Sequence, residues 1–135
     1  MVTLWQQKGH SILEYASPVF FSRITQHQSK QLEDVQRKAF AIILKSDYVS
    51  YENSHKVLHQ EKLSDRRLNA ALKFGEKCVA SLRHRDMFPR KQPVTDKQRA
   101  PKPFKEYFCR TDRFYSSSLP TIVRLLNEKH EKSVS

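Results

Sequence analysis

Apolar residues recur along this chain at intervals of three and four rather than two, a pattern that predicts helices and not strands. In the first segment, about Thr3 to Ser17, the apolar set is Leu4, Trp5, Ile12, Leu13, Tyr15 and Ala16. Gly9 weakens this segment, and Ser11-Ile12-Leu13-Glu14 has the form of a capping box, which moves the expected helix start to Ser11. Pro18 disfavours helical geometry at Ser17 and marks a break or kink there. The next helix is the clearest. Thr25 and Ser29 are alternative N-caps, and Leu32, Val35, Ala39, Ile42 and Ile43 are expected to share one buried face. A short helix follows Ser50, with Tyr51, Val57 and Leu58 expected inward. Ser64 is the expected cap of a further long helix, with Asp65 in its first turn and Leu63 stapling against Leu68. Its expected face runs through Leu68, Ala71, Leu72, Gly75, Cys78, Val79 and Leu82.

From Arg83 the pattern breaks. Pro89, Pro93, Pro101 and Pro103 interrupt any period, and between Arg83 and Arg113 ten Lys/Arg face four Asp/Glu, a local charge of +6. A stretch so poor in apolar residues does not offset its own ordering entropy, so it is expected to be extended or disordered until a partner holds it. Ser118, Leu119 and Pro120 then open a short amphipathic helix carrying Ile122, Val123, Leu125 and Leu126. Only two glycines occur in the chain, which leaves few tight turns and argues against an all-β fold. The expected architecture is mainly α: a small bundle of three to four helices, followed by an extended basic tail and a short C-terminal helix. Its boundaries are a helical domain over 1–82, the basic segment over 83–118, and the final helix and tail over 119–135.

Charge narrows the partners. Twenty-five Lys/Arg against 14 Asp/Glu give +11, a field that favours polyanions, with nucleic acid first among them. Cys78 and Cys109 make no disulfide framework, so the expected compartment is reducing and intracellular, cytoplasm or nucleus. No apolar run approaches the roughly 18 residues of a membrane span, and no membrane partner is expected. Helical patterning that begins almost at Met1 suggests a piece cut from something longer.

Catalytic signatures are missing from the sequence. Gly9 and Gly75 stand too far apart for a phosphate-cradling loop, and no Gly-x-Ser-x-Gly elbow occurs. The adjacent acids Glu33 and Asp34 point about 100° apart on a helix, so they are expected to be surface charges rather than metal ligands. His55 and His59 have the i, i+4 spacing of a zinc motif but lack its glutamate and further ligands. No catalytic residue, cofactor, metal or small-molecule substrate is therefore expected. Cys78 reads as a small core hydrophobe and Cys109 as inert. For binding, the pairs Arg37–Lys38 and Arg66–Arg67 lie opposite apolar faces, with Lys73 on the flank, where cations can follow a phosphate backbone. Tail aromatics alternate with cations from Phe104 to Tyr115, a composition suited either to base stacking or to pinning the tail on the helical body.

Four ordered blocks carry a resemblance. They are Ser11-Ile12-Leu13-Glu14-Tyr15-Ala16-Ser17-Pro18-Val19, Leu32-Glu33-Asp34-Val35-Gln36-Arg37-Lys38-Ala39 with Ile42-Ile43-Leu44, Leu63-Ser64-Asp65-Arg66-Arg67 with Leu72-Lys73-Phe74, and Cys109-Arg110-Thr111-Asp112-Arg113 ahead of Ile122-Val123-Arg124-Leu125-Leu126-Asn127. Together they resemble the C-terminal end of reverse transcriptases from jockey-like non-LTR (LINE-type) retrotransposons, the part after the polymerase palm. The resemblance implies that the helical domain over 1–82 is thumb-like and helps grip the template–primer duplex, with Arg37, Lys38, Arg66, Arg67, Arg110 and Arg113 at matching basic positions. It also implies that the polymerase aspartates, and the magnesium of the full-length enzyme, belong to an upstream palm and fingers rather than to this chain. The family tends to have glycine where Lys45 stands, and an Asn-Leu-Pro-like turn in place of His59-Gln60-Glu61-Lys62. The function expected is thus non-specific binding of RNA or DNA without catalysis; the rival expectation is a protein-interaction or self-associating module.

Overall fold

The computed structural model describes residues 8–91 and 102–134, the side chains of His10 and Ser11 excepted. The expectations for Leu4, Trp5, the Ser11 cap, Pro93 and Pro101 fall outside those residues. The protein is mainly helical, and no strand occurs among the described residues beyond an isolated antiparallel bridge between Arg90 and Phe104.

Two one-turn helices lead in, α1 (His10–Leu13) and α2 (Ser17–Phe20). The break between them falls at Ala16, which takes a left-handed φ of 52°. Pro18 sits in the first turn of α2, where its fixed φ starts a helix instead of ending one. α3 (Gln26–Leu44) begins at Thr25 with a full capping box. The Gln28 N–H donates to Thr25 Oγ1 at 3.2 Å, and the Thr25 N–H donates to Gln28 Oε1 at 3.0 Å. α4 (Tyr51–Val57) is capped by Ser50, whose hydroxyl accepts the Asn53 N–H at 3.1 Å.

α5 (Leu63–Ala80) is the central helix, packed against α2, α3 and the C-terminal helix. Its start corrects the expected Ser64 cap: Lys62 is the N-cap residue, and the cap comes from another helix. Glu33 Oε1 on α3 accepts the Ser64 N–H at 2.9 Å, placing a carboxylate at the positive end of the helix dipole. Glu33 is therefore a structural acid, not the free surface charge its sequence position suggested.

Two faces also differ from the periodic reading. On α3 the buried residues are Gln36 and Phe40, while Val35 and Ile42 are exposed. Gln36 turns inward because its amide donates to the Glu61 carbonyl at 3.3 Å, and Phe40 because its ring meets Tyr51 and His55. On α5 the buried line is Leu63, Arg67, Ala71 and Gly75, one residue per helical turn, with Leu68 and Leu82 outside it. Val57 likewise is exposed, its place inside α4 taken by Ser54.

After the one-turn α6 (Asp112–Tyr115), the final helix α7 (Ser118–Val134) has 17 residues, longer than the short helix expected. It belongs to the core. Ile122, Val123 and Leu126 are buried with Phe88, and Leu72, Cys78 and Val79 of α5 pack against them. The close approach of α5 and α7 depends on Gly75, whose missing Cβ would lie 2.5 Å from Ile122 Cγ2. Residues 102–111 run without helix, and the aromatics of this arm pin it down: Phe104 and Tyr107 pack on the same cluster, whereas Phe108 is exposed. The Lys105 N–H donates to Pro89 O at 2.8 Å and the Lys91 N–H to Pro103 O at 3.0 Å, which closes the bridge.

Candidate nucleic-acid interface

Cations bind phosphate only if internal acids leave them free and burial leaves them wet. Of the expected residues, Arg67 fails the second condition. Its side chain lies inside α5 at 3% exposure, where Nη2 donates to Ser29 Oγ at 2.7 Å and Nη1 is buried without a partner. Arg66 fails the first. Its Nε and Nη2 donate to both oxygens of Glu14 at 2.5 and 2.8 Å, a two-point pair that ties α5 to the α1–α2 turn. That hydrogen bonding holds its pKa above the ordinary arginine value. Both residues are thus corrected from phosphate contacts to structural groups.

Arg37 is intermediate in its freedom. It pairs with Asp34 at 2.9 Å and its guanidinium lies 5.2 Å from the centre of the Tyr51 ring. Under this cation the Tyr51 hydroxyl donates to Glu33 Oε2. Burial, then the Glu33 carboxylate, push the Tyr51 phenol well above its usual range. A phenol whose folded pKa is raised contributes stability below its unfolded pKa of 10, and that contribution is lost as pH climbs above it. Tyr51→Phe is expected to lower stability by about 1.5–3 kcal/mol at neutral pH, because the Glu33 carboxylate loses a donor. Denaturant unfolding reads the change, and alkaline absorbance titration should show the late-ionising phenol missing from the variant.

Lys38, Lys73, Arg110 and Arg113 are exposed and enter none of the four ion pairs among the described residues. Lys73 flanks the cleft that contains the Glu14–Arg66 pair. The fold adds cations that sequence reading passed over. Arg23 Nη2 donates to the Arg113 carbonyl at 3.0 Å across 90 positions of chain. Arg124 stacks 3.9 Å above the Tyr115 ring and donates to its carbonyl at 3.0 Å. Arg23 therefore meets the α6 backbone at Arg113, and Arg124 at Tyr115, where the α2–α3 turn approaches α6 and the start of α7. Arg90 and Lys91 stand exposed on the bridge; their visible signal was a basic pair directly after Pro89.

Among the described residues no three His, Cys, Asp or Glu side chains group closely enough to hold a metal ion. Glu33 and Asp34 are engaged by Tyr51, Ser64 and Arg37, so no magnesium-dependent step is assigned to them. His55 Nδ1 lies 2.8 Å from the Gln60 carbonyl, and His59 sits in a left-handed turn at φ 50°. Cys78 and Cys109 are free thiols, partly buried. Lys102 hydrogen bonds to Glu106 at 2.8 Å and holds that carboxyl below the ordinary range. No described helix is long and apolar enough to cross a membrane.

No family model, curated protein or solved structure matches this chain.

Proposed function

We propose that this chain is a non-catalytic nucleic-acid-binding module, equivalent to the thumb and post-palm end of a non-LTR retrotransposon reverse transcriptase. In this reading it works inside the cell and grips RNA or DNA backbone without reading sequence. The observation that carries it is the set of exposed cations, Lys38, Lys73, Arg110, Arg113 and Arg23, joined by the half-buried Arg124, on a helical body where five of the acids are tied up in internal contacts. Glu14, Glu33, Asp34, Glu76 and Glu106 each serve an internal contact, so they do not screen these cations at short range.

Two backbone positions support the family reading. Lys45, where that family tends to have glycine, takes φ 49°, a conformation glycine adopts freely. His59, at the position of the Asn-Leu-Pro-like turn, also takes a left-handed φ, which asparagine tolerates. The present residues thus occupy geometry suited to the residues they replace.

The test is salt dependence. With about six phosphate contacts, affinity for a labelled duplex should fall about a thousandfold between 50 and 200 mM salt as counterion release weakens. Binding indifferent to salt would sink the proposal, and magnesium-dependent primer extension by the purified chain would overturn its non-catalytic part. The second reading, a self-associating or protein-binding module, is favoured by the exposed Ile12, Tyr15 and Val19 along α1 and α2. Concentration-dependent association with no oligonucleotide shift would select it.

A further inference from the structure

Between the C-terminal half of α5 and α7 lies an open groove of about 680 Å³. Its wall is mostly apolar, formed by Val79, Leu126 and Phe104, and its rim carries the exposed Arg90 and Lys91. On the far side Lys129 is paired with Glu76, so the net positive charge at the rim comes from the bridge. Phe104 is held in place from two directions. Its N–H donates to Asn127 Oδ1 at 3.1 Å, and Asn127 Nδ2 donates back to its carbonyl at 3.1 Å. Asn127 is itself buried, and the Phe104 ring rests edge-on against Phe88 at 6.4 Å. The aromatic wall is therefore built before any ligand arrives.

Two uncharged polar side chains, His130 and Ser133, interrupt the apolar lining. His130 Nδ1 itself is buried, so the imidazole meets a ligand through the rest of its ring. An aromatic wall, an imidazole beside it and two cations at the edge are complementary to a flat heteroaromatic ring flanked by phosphates.

We propose that this groove seats one unstacked base of a single-stranded nucleic acid, the ring against Phe104, the base edge beside His130 and Ser133, and the flanking phosphates on Arg90 and Lys91. The proposal rests on the nucleic-acid reading above and adds to it a place where the bases themselves are felt. An acidic peptide with an apolar anchor also suits the cations. A base fits better because it brings a planar ring and an in-plane hydrogen-bonding edge to the same spot.

The discriminating pair of probes is a short oligothymidylate and an abasic oligomer of equal length and charge, each titrated by fluorescence anisotropy at one salt concentration. Oligothymidylate is expected to bind about tenfold more tightly, the value of one stacked base. Both Phe104→Leu and Ala80→Leu should bring that ratio to about one while leaving abasic affinity unchanged. Ala80 is exposed beside the groove, so its enlargement obstructs the site without disturbing the core. A 5-iodouridine at mid-strand should crosslink to peptides containing Phe104 or His130. Equal affinity for the two probes, with steep salt dependence retained, overturns the groove and leaves the general reading standing. Binding of neither probe overturns both. Displacement of oligothymidylate by an acidic, leucine-containing peptide that binds more tightly than it does assigns the groove to a protein and overturns the base site.

Discussion

Gly75→Leu is expected to abolish the cooperative unfolding transition of the whole domain. The reason lies in the spacing of two helices. A Cβ at position 75 would stand 2.5 Å from Ile122 Cγ2 and 3.3 Å from Leu126 Cδ1. Ile122 is 2% exposed and packed among Val123, Leu126 and Phe88, so its side chain has little room to rotate away. Alanine gains about 1 kcal/mol of helix propensity over glycine but meets an overpacking cost of about 1–3 kcal/mol. Gly75→Ala should therefore be mildly destabilising, and adding Ile122→Leu, which removes the Cγ2 methyl that the new Cβ meets, should recover part of the stability. Leucine at position 75 offers no such compromise. Separating α7 from α5 returns Ile122, Val123 and Leu126 to water at about 1.5–3 kcal/mol each. That sum consumes much of the roughly 5–15 kcal/mol that typically separates a folded domain from its unfolded state. Denaturant titration of the two variants, with proteolysis between Lys105 and Ser118 as a second reporter, reads the effect. Unchanged midpoints in both variants would mean that α5 and α7 do not pack through this glycine.

This dependence was not visible in the chain. The helical class was visible, because periodicity and the scarcity of glycine both follow from local geometry, and so were the caps at Thr25 and Ser50. Ser118 opens the last helix as its first residue, and its hydroxyl donates to the Val19 carbonyl instead of capping. What the local pattern could not supply was the partner of each side chain. Val35 and Ile42 look like core on α3, yet Gln36 is buried in their stead because a carbonyl 25 residues away needs its amide. Arg66 and Arg67 look like a surface pair, yet one meets Glu14 and the other Ser29, at separations of 52 and 38 residues. The division into a bundle, a tail and an appended helix treated α7 as peripheral, because its contact with α5 spans about a third of the chain. Composition points to a polyanion as a class of partner, but only the fold sorts cations that can reach one from cations that hold the helices together.

That sorting produces a contrast between two sets of substitutions of similar charge. Changing Lys38, Lys73, Arg110 and Arg113 together to glutamine lowers the net charge from +11 by four. All four are exposed and outside the described ion pairs, so the fold should be retained with little change in unfolding midpoint. Removing one phosphate-bound cation flattens the slope of log affinity against log salt by about 0.9, so the fourfold variant should have a slope shallower by about 3 to 4. Arg67→Met is expected to do the reverse. It replaces a buried guanidinium, one of whose nitrogens lacks a partner, with an apolar chain of related length. The change removes a charge buried without a carboxylate partner and leaves Ser29 Oγ without its donor, so stability should move. Because Arg67 is buried, the salt slope should not. Arg66→Gln should lower stability by uncoupling α5 from Glu14, again with the slope unchanged. A slope flattened by Arg67→Met but not by the fourfold variant would contradict the burial of Arg67 and the assignment of the exposed cations at once.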